Sequence, residues 1–147
     1  MTPWIAALVA LLAAAALWYR WRYRVITVSG ESMEPTYVDG DRLLVRRSRT
    51  AGRGAAVVFA PPGPGLPGDP PWLVKRATAT AGDRVPEEMT GAVRVPVVPA
   101  GYLAVLGDNP RSLDSRRFGL VPESALLGVV VRRLGDERGT PHAAIAA

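Results

Sequence analysis

The sequence contains no cysteine, which excludes disulfide bonds, a thiol nucleophile and thiolate metal sites. Its single histidine, His142, lies near the C-terminus, so a zinc site built from two histidines is impossible. One histidine in this position also argues against a Ser-His-Asp triad. These absences exclude the thiol- and histidine-based sites of several enzyme classes.

Lysine is almost as scarce. Lys75 is the single lysine among 18 basic side chains, and the arginines supply most of the net charge of +5. An arginine-rich codon usage explains the arginines but not the one lysine that remains. Arginine stays protonated in proteins, whereas a buried lysine can lose its proton. Lys75 is therefore a candidate general base.

The N-terminus carries one long apolar run. Residues 3–18 include no charged side chain, and a helix over residues 2–19 would be about 27 Å long, enough for a thin bilayer. Aromatic and arginine residues, which suit the lipid headgroup region, alternate directly after it: Tyr19, Arg20, Trp21, Arg22, Tyr23 and Arg24. We predict a membrane anchor over residues 1–24. A cleaved signal peptide, with small residues at 14–16 as its processing site, is the alternative.

The rest of the chain has short β-type runs separated by glycine, proline and aspartate turns, without a long amphipathic helix. This pattern predicts an all-β, mainly antiparallel domain over residues 25–134. A proline- and glycine-rich loop is expected at residues 61–71, a helical turn at 122–127, and a disordered tail at 135–147. The predicted strands cover residues 25–28, 42–45, 55–59, 72–74, 92–95, 102–106 and 128–131.

Three segments contain side chains suited to acyl transfer. Ser32 lies in a turn after the first predicted strand, where its hydroxyl could face a cleft. Lys75 follows an apolar run, and burial would lower its pKa from about 10.4 towards neutrality. A polar loop at residues 107–119 offers groups that could orient a lysine amine. Taken singly, each segment is equally compatible with a surface turn or a solvated strand end.

Together and in this order, the three segments resemble the type I signal peptidases, the serine-lysine proteases that remove signal peptides from exported proteins. Ser32-Met33-x-Pro35-Thr36 resembles the nucleophile motif of that family, and Lys75-Arg76 resembles its lysine motif. Gly107-Asp108-Asn109 and Ser112-x-Asp114-Ser115-Arg116 resemble the C-terminal motif. The resemblance extends from about residue 28 to residue 131.

The resemblance implies a role for each matching residue. Ser32 is expected to be the nucleophile and Lys75 the general base, with Ser112 holding the lysine amine. Asp114 and Arg116 are expected to form a supporting ion pair, and Met33 to line a shallow pocket for the small residues of Ala-x-Ala sites. Some relatives have a serine as second oxyanion donor where this chain has Gly30. The region between Lys75 and the C-terminal motif is too short for the additional β-domain of larger members.

The resemblance also implies precursor proteins or peptides as substrates, a lipid bilayer as the environment, and a catalytic domain outside the cytoplasm. It implies acyl transfer through a Ser32 ester, with no metal ion and no organic cofactor. The positive-inside rule disagrees, because arginines follow the anchor and none precedes it. The sequence leaves the orientation open.

Other functions remain open at this stage. A maturation protease dedicated to one precursor would have the same motifs. Self-cleaving repressors of the LexA type share the serine-lysine dyad, but a membrane span stands here in place of a DNA-binding helix pair, so we expect no nucleic-acid partner. A non-catalytic membrane-tethered β-domain that binds peptide or lipid is the alternative outside the enzymes.

Overall fold

A computed structural model describes residues 2–135 of the chain. Within them an N-terminal helix, α1 (Pro3–Arg22), precedes seven strands, and a short helix, α2 (Ser115–Phe118), lies before the last two strands. Turns of 3₁₀ helix cover Glu87–Met89 and Glu123–Ala125. The strands are β1 (Tyr23–Thr27), β2 (Arg42–Arg47), β3 (Ala56–Phe59), β4 (Leu73–Thr80), β5 (Tyr102–Leu106), β6 (Val121–Pro122) and β7 (Leu126–Leu134).

The seven strands form one antiparallel sheet in the order β1-β2-β7-β3-β4-β5-β6. The all-β, antiparallel architecture predicted from the sequence is therefore confirmed. β3 and β4 are neighbours in the sheet, and the proline-rich segment at residues 61–71 connects them. The predicted helical turn is found as the 3₁₀ turn Glu123–Ala125, with Pro122 directly before it.

Helix α1 projects from the sheet with none of its residues buried in protein. It has 20 residues and is long and apolar enough to cross a membrane, at a length of about 30 Å. It ends at Arg22, and β1 begins at the next residue, so the helix leads directly into the edge strand of the sheet.

The core of the domain lies on both faces of the sheet. All four residues of β3 are buried: Val57 and Phe59 pack into one apolar cluster, and Val58 packs into another. The first cluster also receives Phe118 from α2, whose ring lies edge-on to Phe59 with centroids 6.3 Å apart. Since such rings contribute large buried apolar areas, this contact holds α2 against the sheet.

Strand β4 is longer than predicted, because it continues from Leu73 to Thr80 instead of ending at residue 74. Ala77 and Ala79 are buried, whereas Thr78 and Thr80 between and after them are partly exposed. Alanine and threonine alternate here with the period of a strand, but they give a weak hydrophobic signal. As a result, Lys75 lies inside the strand, paired with Val57 of β3.

One predicted strand, at residues 92–95, is wrong. These residues belong to an irregular segment after the 3₁₀ turn Glu87–Met89, in which a single bridge pairs Arg84 with Val97. Val93 is buried with Met89, but Val95 is 42% exposed. The alternating valines therefore do not form a paired strand. Val93 packs into the core and holds the loop in place, whereas Val95 faces solvent. The predicted tail lies outside the described residues, apart from Gly135.

Candidate active site

Ser32 lies in the nucleophile turn (residues 30–36), which follows β1, and it is half-buried. The turn is fastened on both sides. The N–H of Gly30 donates to the Asp39 carboxylate at 2.7 Å, and the Ser32 carbonyl accepts from the N–H of Asn109 at 3.1 Å. The Asn109 side-chain amide donates to the Glu31 carbonyl at 3.0 Å. The backbone around Ser32 is thus held by Asp39, shortly after the turn, and by Asn109 from a distant part of the chain.

Gly30 occupies a backbone conformation that suits glycine. Its φ is +88°, in the left-handed region where a side chain other than glycine is strained. A serine at this position, as some relatives have, would require a different turn. The backbone N–H of Ser32 therefore remains our candidate oxyanion donor, and the structure offers no side-chain donor at residue 30.

Lys75 is buried within β4, with 2% of its surface exposed. Burial lowers the pKa of its amine from 10.5 to about 8, and the nearby Asp114 carboxylate opposes this shift. The desolvation of the ammonium outweighs the attraction to Asp114 because little water reaches the side chain. A substantial fraction of Lys75 is therefore neutral near pH 8, as a general base requires.

Gly107 is the first residue of the site loop (residues 107–114), which runs from β5 to α2. A Cβ added there would overlap the Ser112 side chain and lie 2.5 Å from the carbonyl oxygen of Ser32. The N–H of Gly107 donates to Asp114 at 2.9 Å. Because Asp114 also acts electrostatically on Lys75, this chain of contacts links all three predicted segments.

The Ser112 hydroxyl is buried beside Gly107, and its oxygen has no hydrogen-bond partner among the described residues. Most buried hydroxyl groups in proteins are paired, since an unpaired one costs about 1–3 kcal/mol. Ser112 therefore retains its hydrogen-bonding capacity inside the site, where an amine or a water molecule could use it.

Asp114 and Arg116 form the ion pair that the resemblance implied. Arg116 donates to the two carboxylate oxygens at 2.9 and 2.8 Å, and Asp114 also caps α2 through the N–H of Arg116. Burial by itself raises the pKa of Asp114, but the hydrogen bonds from Arg116 and Gly107 outweigh it and hold the pKa below its usual value. Asp114 is consequently an anion at neutral pH and fixes the end of the site loop.

A second ion pair, which the sequence analysis did not assign, joins all three segments. Arg76 donates to both carboxylate oxygens of Asp108, at 2.8 and 2.6 Å, and the Thr36 hydroxyl donates to the same carboxylate at 2.6 Å. The hydrogen bonds from Arg76 lower the pKa of Asp108. The sequence shows Arg76 beside the lysine and Asp108 beside Gly107, which makes both candidates for the site. It does not show that they pair, because the pairing depends on the antiparallel register of β4 and β5.

Met33 does not lie at the surface. Its side chain is fully buried in the apolar cluster that includes Val28 and Val74. A role in a substrate pocket stays a prediction. Among residues 2–135, no group of three or more histidine, cysteine or acidic side chains is placed to hold a metal ion.

The family model described as signal peptidase, peptidase S26, matches residues 1–95 and 86–134. Signal peptidase I V of Bacillus subtilis is 31% identical over 138 residues, which covers 70% of this chain and 80% of that protein. Signal peptidase IB of Staphylococcus aureus is 32% identical over 144 residues, with 71% and 73% covered.

A mitochondrial protease subunit is also similar to this chain over most of its length. Mitochondrial inner membrane protease subunit 1 of Schizosaccharomyces pombe is 30% identical over 123 residues, which covers 79% of this chain and 76% of that protein. The family match spans the described domain and its N-terminal helix, in agreement with the fold and with the order of the three segments. The chain therefore belongs to the peptidase S26 family of signal peptidases, and it is a membrane peptidase.

Proposed function

We propose that the protein is a serine endopeptidase in which Ser32 attacks the peptide bond and Lys75 is the general base. The observation that carries this proposal is the burial of the chain's single lysine, with its pKa lowered to about 8. The contacts of Gly107 with Ser32, Ser112 and Asp114 add support, because they hold the nucleophile turn against the loop beside Lys75.

The reaction proceeds by acyl transfer. The neutral Lys75 amine takes the proton from the Ser32 hydroxyl as the oxygen attacks the carbonyl carbon. The Ser32 backbone N–H donates to the developing oxyanion. Lys75, now an ammonium, protonates the leaving amine as the peptide C–N bond breaks and an ester forms. Lys75 then deprotonates a water molecule, which attacks the ester carbonyl carbon. The resulting ammonium returns this proton to the Ser32 oxygen as the ester bond breaks and the second product leaves.

Ser112 and the Asp114–Arg116 pair support Lys75 in this scheme. The unpaired Ser112 oxygen can accept a hydrogen bond from the Lys75 amine and orient its lone pair towards Ser32. The Asp114–Arg116 pair fixes the loop that carries Ser112. Asp114 also stabilises the ammonium that forms during each turnover, since it lies close enough to raise the pKa of Lys75.

The proposed substrates are precursor proteins cut after small residues, in Ala-x-Ala sites. The support is the membership in the signal peptidase family and the naming of two relatives as signal peptidases. A dedicated protease for one precursor would use the same chemistry. Activity on one precursor and not on unrelated Ala-x-Ala precursors would favour it.

We propose that α1 anchors the protein in a single pass and that the β-domain lies outside the cytoplasm, where precursors emerge from the membrane. The long apolar run of this helix, in which no residue is buried in protein, supports the anchor. Protease added outside intact cells that express the protein should digest the β-domain. Protection of that domain until the cells are lysed would reverse the proposed orientation, as the arginines after α1 suggest.

The nucleophile is tested by two serine variants of the same segment. Ser32→Ala should reduce cleavage of an Ala-x-Ala precursor to background, because no oxygen remains to form the ester. Ser29→Ala, an exposed position three residues earlier, should cleave like the parent. Product formation is followed by gel electrophoresis in detergent. Cleavage by Ser32→Ala at the parental rate would overturn the mechanism. It would mean that a contaminating protease cuts the precursor and that Ser32 is not the nucleophile.

A further inference from the structure

A cavity of about 460 Å³ lies where α1 meets the sheet, apart from the site described above. Its walls come from the end of α1, the end of β2, the residue before β4, and the 3₁₀ turn that leads into β7. Its volume is within the range of small-molecule pockets, about 300–1,000 Å³. The residues that line this junction pocket are Trp21, Arg22, Arg47, Ser48, Arg49, Ala60, Trp72, Ser124, Ala125, Leu126 and Leu127.

The charged side chains of the junction pocket are all cationic. Arg22, Arg47 and Arg49 contribute guanidinium groups, and no aspartate or glutamate is among the lining residues. Ser48 and Ser124 add hydroxyl groups. Arginine is the side chain best suited to hold phosphate, because its planar fork of N–H donors matches two oxygens at once. The chemistry of the pocket therefore favours an anion, and a phosphate group in particular.

Arg47 provides a second observation. Its Nε atom is buried and has no hydrogen-bond partner among the described residues. Its backbone carbonyl accepts a hydrogen bond from Nη1 of Arg22 at 2.9 Å, which holds the end of α1 against β2. Two arginines are thus kept close together despite their like charge, and one of them has a donor left unused. A bound anion would satisfy that donor and offset the repulsion.

The position of the pocket indicates where such an anion comes from. Arg22 is the last residue of α1, about 30 Å from the start of the helix. Trp21 is 64% exposed, and Trp18, one turn earlier, is 60% exposed. Exposed tryptophans at the end of an apolar helix are typical of the depth of the lipid headgroups. The pocket therefore opens at the level of lipid phosphates if α1 spans the membrane.

We propose that the junction pocket binds the phosphate of an anionic phospholipid, with Arg22, Arg47 and Arg49 as its ligands. This inference rests on the anchoring role of α1 in the proposed function, but not on the serine-lysine chemistry. Since Trp72 comes directly before β4, which carries Lys75, a lipid held there fixes the height of this strand above the bilayer. Arg22, at the end of α1, then serves lipid binding, which explains the presence of this arginine on the outer side of the membrane.

The test measures the unfolding midpoint of the full chain in neutral detergent while short-chain lipid is titrated. Phosphatidylglycerol should raise the midpoint in a saturable way, because a ligand that binds only the folded protein stabilises it. Phosphatidylcholine and inorganic phosphate at equal concentration should have little effect. The double variant Arg47→Gln/Arg49→Gln should need about tenfold more phosphatidylglycerol, or more, since it loses two charge-assisted partners. Arg53→Gln/Arg94→Gln, two exposed positions outside the pocket, should respond like the parent.

An equal response of the pocket variant and the parent would overturn the proposal, and so would an equal effect of inorganic phosphate and lipid. If the double variant fails to fold, Arg49→Gln alone replaces it, because Arg49 is exposed. Cleavage of a soluble peptide in lipid-free detergent tests the serine-lysine chemistry separately. A lipid response without cleavage would therefore contradict the catalytic proposal alone, and cleavage without a lipid response would contradict this inference alone.

Discussion

Lys75→Arg should abolish precursor cleavage, with a loss of kcat/KM of about a thousandfold or more. The variant keeps a positive charge at this position, but arginine cannot give up its proton at accessible pH. General-base catalysis contributes roughly 10²–10⁴-fold to rate, and here the same group serves twice as base and twice as acid. Initial rates on an Ala-x-Ala precursor at pH 8 measure the loss. Retention of even a tenth of the parental activity would contradict the role of Lys75.

Lys75→Met is the matched control for folding. Lys75→Met should be inactive. Near pH 7 its free energy of unfolding should exceed that of the parent by up to about 3 kcal/mol. The reason is that folding of the parent buries a protonated amine whose pKa burial lowers to about 8. In the parent the unfolded chain holds the proton up to about 10.5, so stability should rise between pH 8 and 10.5. Lys75→Met should lack this rise. Denaturant unfolding at several pH values measures both effects, and a destabilised Lys75→Met protein would contradict the costly burial of an ammonium.

Gly107→Ala should lower kcat/KM about a hundredfold. The added methyl group would overlap the Ser112 side chain and approach the Ser32 carbonyl oxygen to 2.5 Å, so the site loop and the nucleophile turn must move apart. A displacement of about 1 Å between reacting groups can cost a hundredfold in rate. Steady-state kinetics on the same precursor measure the effect, and the unfolding midpoint shows whether the variant remains folded.

Gly91→Ala is the control for Gly107→Ala. A Cβ at Gly91 meets no heavy atom within 4 Å, and its φ is outside the left-handed region. This variant should match the parent in both kinetics and stability. Parental kinetics in Gly107→Ala would mean that the contact between the loop and the turn does not position Ser32.

Much of the fold could be predicted from local patterns. The apolar run of α1 and the short apolar runs of β2, β3 and β5 have strong signals, and each is found where the sequence places it. The predicted β4 is shorter than the observed strand, because Ala77 and Ala79 bury little apolar surface although they alternate with the period of a strand. Residues 92–95 alternate as a strand would, but they pair with no other strand in the described part of the chain. Strand pairing is non-local, so neither error could be corrected from the segment itself.

The candidate site was predictable to the extent that its residues lie in motifs. The Asp114–Arg116 ion pair joins residues two positions apart, and it is present. The Arg76–Asp108 pair connects residues 32 positions apart, and its formation depends on the register between β4 and β5. The close packing of Gly107 has the same origin, because the distant nucleophile turn meets the site loop at this backbone position. Burial of Met33 in the core was not visible from its motif.

The mechanism requires that Lys75 is neutral enough to act as a base. Because Lys75 is the single lysine of the chain, its pKa can be measured directly. Protein grown with ¹³C-labelled lysine gives one side-chain Cε resonance, since Lys75 is the single lysine. We predict that this resonance titrates with a midpoint near pH 8 in the folded protein, in line with the pKa of about 8 that burial produces. A midpoint at the ordinary value of 10.5 would mean that Lys75 is solvated and protonated at neutral pH, and would contradict the mechanism.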